Sequence, residues 1–104
     1  MKYKIKQLPI DVVKEKDLSY LFLNYSYASK NGFDLNDYDV VYEGDIELED
    51  PQQKVHVENY LEHLFYIFNV DHPQDYKGRS LSVSDVVELD GKNYYCDSAG
   101  WKLI

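Results

Sequence analysis

A chain of 104 residues holds one domain, long enough to bury about 65% of the surface its unfolded form exposes and so to fold without a metal or disulfide staple. Its one cysteine, Cys96, excludes an intramolecular bridge and fits a reducing compartment. The net charge of -8 disfavours direct binding to nucleic-acid phosphates, which depends on Lys and Arg displacing counterions.

The chain opens with MKYKIKQLPI, in which lysine alternates with apolar residues. That segment lacks the apolar run and cleavage site of a signal peptide, and no stretch approaches the roughly 18 apolar residues of a membrane span. A soluble, cytoplasmic protein without membrane contact is expected. Tyr3, Ile5 and Gln7 share one side of a period-2 strand that Pro9 ends. Asp17 then offers an N-cap, and Leu18, Leu21, Phe22, Tyr25, Ala28 and Ser29 follow at helical spacing until Asn31-Gly32, which predicts a first helix. Tyr38 to Glu43 reads as a second strand around Val40, Val41 and Tyr42, with Gly44 ending it or making a bulge.

Asp50-Pro51-Gln52-Gln53 has the form of a helix start, with Asp50 as cap, Pro51 in the first position and Gln53 completing a capping box. Val57, Tyr60, Leu61, Leu64, Ile67 and Phe68 make one apolar stripe, opposite Lys54, Glu58 and Glu62, on a second helix running to about Asn69. From Val83 the pattern is β again. Asp85 to Leu89, the turn Asp90-Gly91 and Lys92 to Cys96 predict a hairpin, and a turn at Ser98-Ala99-Gly100 lets Trp101 to Ile104 add a last strand. The order β-α-β-α-β-β-β predicts a single α+β domain over residues 1–104, a mostly antiparallel sheet with two helices.

Charge is concentrated in one block. Asp34, Asp37, Asp39, Glu43, Asp45, Glu47, Glu49 and Asp50 fall between Asn31 and Gln53 with no Lys or Arg among them, and elsewhere eleven acids balance eleven bases. Such a block suits a partner protein with a basic surface, and it also suits a solvated face that keeps a tyrosine-rich chain in solution. Eleven tyrosines are too many for one core of this size, and Tyr27 and Tyr66 fall off the apolar stripes of the predicted helices. They are therefore candidate interface residues. Aromatics interleaved with acids favour protein over single-stranded nucleic acid as the partner.

The densest polar cluster is Asp71, His72, Asp75, Arg79, Ser80, Ser82, Ser84 and Asp85. It holds a base, a hydroxyl and an anion binder, the inventory of hydrolytic or nucleolytic chemistry, at a spacing that matches no catalytic motif. A structural role is more economical: Asp71 caps a turn begun by His72-Pro73, Gly78 supplies a positive φ, Arg79 ties the loop to a carboxylate, and the serines satisfy backbone groups. His56 and His63 lie seven residues apart, too far along one helix to chelate together. Cys96, beside Asp97, reads as a core residue, and the glycines are scattered as turn residues. No metal or other cofactor is expected.

From Ile67 to Trp101 these pieces form one signature: an aromatic helix end, Asp71-His72-Pro73, Asp75-Tyr76, Gly78-Arg79-Ser80-Leu81, Asp85-Val86-Val87, Tyr94-Tyr95, Asp97-Ser98 and Gly100-Trp101. With Tyr42-Glu43-Gly44 and the strand from Tyr3 to Pro9, it resembles the YodL-like domain of bacterial and phage mobile elements over nearly the whole chain. The resemblance implies a setting rather than a reaction, since such domains accompany antirestriction modules in large phage and plasmid proteins. The expectation is a non-enzymatic protein-binding module of a mobile element, an acidic inhibitor of a nucleic-acid-handling or defence protein of the host, of antirestriction or anti-CRISPR type. The alternatives are a small hydrolase or nuclease using Asp71 to Asp85 and a purely structural accessory domain.

Overall fold

Alternation decides the central strand. In the computed structural model, which describes residues 1–104, β1 (Lys2–Gln7) turns Tyr3, Ile5 and Gln7 inward and leaves Lys2, Lys4 and Lys6 on the wetter side. It joins β2 (Asp39–Asp45), β3 (Val86–Leu89), β4 (Lys92–Asp97) and β5 (Gly100–Leu103) in one sheet of order β2-β1-β3-β4-β5. Every neighbouring pair is antiparallel. The predicted Asp90-Gly91 hairpin forms between β3 and β4, with φ of 50° and 81° at the two turn residues. Positive φ at both positions is the geometry whose twist matches two antiparallel strands.

The expected break at Gly44 is not there. The strand runs through it to Asp45, and the bulge falls at Val41, because Ile5 pairs with Tyr42 while Lys6 pairs with Val40. Gly44 instead admits the ring of Tyr3 from the facing strand. A Cβ at that position would lie 2.7 Å from the Tyr3 hydroxyl oxygen and 2.9 Å from its Cζ.

The first helix differs from its sequence expectation. Pro9 leads directly into α1 (Ile10–Glu15), which Asp17 ends rather than begins. Asp17 takes a left-handed φ of 53°, its N–H donates to Lys14 O, and Leu18 N–H donates back to Val13 O. That pair of bonds closes a helix C-terminus in the Schellman manner, with aspartate where glycine is commoner. Residues 18–24 then cross the sheet in irregular form. Phe22 N–H donates to Ser84 Oγ (2.9 Å), and the Tyr95 hydroxyl donates to Leu23 O (2.7 Å). Asn24, not Asp17, caps the short α2 (Tyr25–Lys30), its Oδ1 accepting from Tyr27 N–H at 2.9 Å.

The long helix α3 (Val57–Val70) also starts later than its capping sequence implies. Asp50 accepts from Gln52 N–H with its side chain and from Gln53 N–H with its carbonyl, which makes a turn that leads into a 3-10 turn at Gln53–Val55. His56 is extended and separates that turn from α3. Beyond it the apolar stripe behaves as predicted: Tyr60, Leu61, Leu64 and Phe68 are buried against Tyr3, Ile5, Val87, Leu89 and Tyr94, with Val57 packed at the margin.

Both faces of the sheet carry a core. Opposite α3, Leu8, Tyr20, Ala28, Tyr38, Val86 and Tyr95 form a second core under α2 and the irregular segment. Phe33 packs into it with its ring centroid 5.4–5.9 Å from those of Tyr20, Tyr25, Tyr38 and Tyr95. Seven of the eleven tyrosines are buried, so two cores absorb most of the surplus that one core would not hold. The predicted α+β fold holds, with three helices in place of two. Leu64→Ala is expected to cost about 2–5 kcal/mol in urea unfolding as a large-to-small change in a packed core. Leu103→Ala, on an exposed edge, should shift stability by no more than about 0.5 kcal/mol.

Candidate functional site

Between Glu43 and Glu49 the chain alternates acids with inward residues. Ile46 and Leu48 are buried in the α3 core and Gly44 lies under Tyr3, so Glu43, Asp45, Glu47 and Glu49 all project to the other side. At the rise of an extended chain this row runs about 20 Å. Lys4 Nζ reaches Glu43 at 3.6 Å, and the N-terminal ammonium reaches Glu47 at 2.7 Å. That ammonium holds the Glu47 carboxyl below its usual range, first through the hydrogen bond and then through its charge. Asp45, Glu49 and Asp50 are exposed and have no cation within 4.0 Å.

The rest of the acidic block lies elsewhere. Asp37 is buried and takes a 2.5 Å bond from Lys16 Nζ, whose pKa that bond raises. Asp34 spends its side chain on Asn36 N–H, at 2.9 Å. Asp39, opposite Gln7 at the far end of β2, borders a hollow with Lys77 and Arg79. Eight acids adjacent in sequence are therefore one exposed row plus separate local contacts. Tyr27 and Tyr66 are exposed, 39% and 56%, but they sit on α2 and α3, which cover opposite faces of the sheet.

The signature loop is built around a residue that composition hides. Gln7 occupies an inward position of β1, where the alternation calls for an apolar residue, and it is 2% exposed. Its Nε2 donates to Arg79 O (3.0 Å) and to Asp85 Oδ2 (3.1 Å), and its Oε1 accepts from Arg79 N–H (3.0 Å). Ser82 N–H donates to the same Asp85 oxygen at 2.9 Å. The Tyr76 hydroxyl donates to Arg79 O as well. A polar residue in an apolar register is the signal that would have singled out Gln7.

Two loop roles differ from expectation. Arg79 makes no ion pair with Asp71, Asp75 or Asp85; its guanidinium donates to Leu8 O at 2.8 Å, so the loop is tied to backbone rather than to a carboxylate. Gly78 is not at positive φ. Glycine is required there by crowding, because a Cβ would collide with the Tyr76 hydroxyl and lie 2.9 Å from Gln7 Oε1. The positive φ of this region belongs to Ser84, at 82°. Ser84 is held by the Tyr38 hydroxyl on its carbonyl and by its own N–H on Cys96 O, with Oγ engaged by Phe22 N–H.

The polar cluster does not converge on one point. Asp71 ends α3, and His72 Nδ1 contacts Pro73 O at 3.0 Å. Asp75 accepts from the Tyr42 hydroxyl (3.0 Å), and Ser80 O accepts from Ser82 Oγ (3.1 Å). No hydrogen bond joins His72 to Asp75, Arg79 or Asp85, and no three His, Cys, Asp or Glu side chains gather as metal ligands. Burial pushes the Cys96 thiol up to about 12, with Asp85 adding to the effect, so it is no thiolate nucleophile at neutral pH.

Asp85 is the carboxyl whose ionised form the fold disfavours. Burial raises it to about 7, against smaller opposing contributions from the Ser82 and Gln7 bonds. A carboxyl with a folded-state pKa above its unfolded value near 3.9 binds more protons when folded across that interval. Stability therefore falls as pH rises from about 4 to 7 and levels off above. Urea midpoints measured from pH 4 to 8 should show this decline superimposed on the other carboxyls, and the wild type minus Asp85→Asn difference should change across that window and flatten above it. A difference independent of pH would refute the raised value.

No helix is long and apolar enough to cross a membrane. No curated protein and no solved structure matches the chain. The family model of the YodL-like domain matches residues 2–104. Its span takes in β1 with Gln7, the acidic row on β2, the loop that Gln7 and Asp85 hold together and the closing edge strand, so the chain belongs to the YodL-like domain family.

Proposed function

We propose that this domain is a non-enzymatic protein-binding module whose acidic row engages a basic surface on its partner. The observation that carries the reading is the alternation of Glu43, Asp45, Glu47 and Glu49 with inward residues, which aligns four carboxylates on one side of an edge segment. Lys4 on β1 stands across from Glu43 and reaches it at 3.6 Å, and the N-terminal ammonium holds Glu47. The other two members, Asp45 and Glu49, have no cation within 4.0 Å. Charges arranged in this way steer association with a positive groove and set its register. The mobile-element setting of YodL-like domains makes a nucleic-acid-handling or defence protein of the host the natural owner of such a groove, with inhibition as the outcome.

Asp45→Lys/Glu49→Lys and Glu15→Lys/Glu58→Lys change the net charge equally, and none of the four residues has an ion-pair partner to lose. Binding of candidate basic host proteins, followed by surface-capture kinetics at low and high salt, should show slower association for the first pair only. Wild-type association should also weaken with salt, because exposed charges are screened over about 8–10 Å at physiological ionic strength. Equal effects of the two pairs would reduce the row to a solubility feature.

A further inference from the structure

Hydrogen-bond parity separates the two open edges of the sheet. Ile104 N–H donates to Asn93 O at 3.0 Å, while Leu103 stands opposite Tyr94 and Trp101 opposite Cys96. Bonded and non-bonded pairs alternate in an antiparallel ladder, so the peptide groups of Trp101 and Leu103 point off the sheet. At the other edge, Ile46 N–H donates to Met1 O at 2.9 Å, and the same parity turns the peptide groups of Glu43 and Asp45 outward. Outer carboxylates and a bulge at Val41 protect β2 against strand addition. The outward positions of β5 carry Trp101 and Leu103, and only Lys102 between them is charged.

A receptive slot adjoins this edge. Phe65 of α3 meets Trp101 edge-on, with ring centroids 6.4 Å apart, above a hollow of about 240 Å³ that Glu62, Val83, Cys96 and Asp97 complete. Glu62 accepts from Trp101 Nε1 at 3.1 Å, which fixes the indole, and it has no cation within 4.0 Å, whereas Asp97 Oδ1 is taken up by the N–H groups of Tyr25 and Ser98.

We propose that β5 is a peptide-binding edge. It adds an extended segment of a partner protein to the sheet, seats an apolar side chain of that segment in the hollow beside Phe65 and Trp101, and holds a Lys or Arg two residues along, on the same side of the strand, against Glu62. Backbone bonds to an open edge supply affinity in this mode, and side-chain pockets supply specificity. A second copy of the chain is the poorer occupant. Matching the outward groups of Trp101 and Leu103 across a two-fold axis sets Lys102 opposite its own counterpart, and like charges directly opposite destabilise a strand pair. It also brings together two chains that each carry a net charge of -8.

This inference rests on reading the domain as a protein-binding module, and it does not depend on the acidic row. Trp101 is the only tryptophan, so its fluorescence reports the slot directly. The probe is a short end-blocked peptide in which phenylalanine and lysine alternate along one side of the strand and valine fills the other, titrated to about 1 mM. The expected result is a saturable change in Trp101 emission, with amide shifts in labelled protein at Gly100 to Leu103 and at Phe65.

Methylating alternate peptide nitrogens, or replacing lysine by glutamate, should abolish the response without altering the protein. Leu103→Pro removes an outward N–H that β4 does not use and should weaken binding about tenfold. Glu62→Gln keeps the indole bond and should weaken it about threefold. An unchanged response to the methylated peptide, no Trp101 response at all, or a concentration-dependent dimer that Leu103→Pro dissolves would each overturn the proposal. Binding lost in Asp45→Lys/Glu49→Lys while Trp101 stays silent would sink the β5 edge and leave the acidic-row reading standing. A Trp101 response retained in that variant supports the edge whatever the row does.

Discussion

The side-chain amide of Gln7 holds the molecule's two halves in register. Its oxygen and nitrogen mimic a strand neighbour for the backbone of Arg79, and the same nitrogen bonds the buried Asp85. An unpaired buried amide or carboxyl is expensive, so each group is tolerable only because the others are present. The loop after α3 is thereby drawn onto the end of β1, and β3 starts where it pairs with β1. Gly78 is the consequence, since no side chain fits between the Tyr76 hydroxyl and Gln7. Of the signature residues, Tyr76, Gly78, Arg79 and Asp85 build this junction with Gln7.

Around the junction the sheet buries both faces unequally. One face carries α3 along its length and a core of mixed aromatic and aliphatic residues. The other is covered mainly at the end where Val86 and Tyr95 meet the irregular segment and α2. The uncovered part carries Lys2, Lys4, Lys6, Glu43, Glu88 and Asn93, linked by contacts such as Lys6 Nζ with Glu88 at 2.9 Å and with Asn93 at 2.8 Å. Charge ladders of this kind keep a half-open sheet wet, and they leave the outer edges as the surfaces with unused bonding capacity.

Those edges differ in kind. β2 continues into a line of carboxylates suited to long-range steering, whereas β5 offers peptide groups beside an aromatic slot suited to short-range, directional bonds. A partner recognised by both would be drawn by charge and held by backbone, the division of labour that separates association rate from residence time. His72, Asp75 and Ser80 are individually engaged with backbone or with a tyrosine, and they do not face a common substrate position.

Sequence by itself determined the elements whose signals are local. The alternation of Tyr3 and Ile5, the apolar stripe of α3, the Asp90-Gly91 turn and the family signature were all legible, because strand pleat, helix period and turn dihedrals depend on near neighbours. It misjudged residues 10–30, where Asp17 carries the chemistry of either helix end, and only the ties from Ser84 and Tyr95 decide that the backbone after it runs irregularly. It placed eight acids in one block, yet burial of Ile46 and Leu48 selects four for a row while Lys16 draws Asp37 aside. It paired Arg79 with a carboxylate, whereas the tertiary fold gives it Leu8 O. Gln7, far from the loop in sequence, became its anchor through strand pairing alone, and the contrast between the edges exists only once the strand order is known. Long-range pairing carries no local periodicity, so these features belong to the tertiary structure.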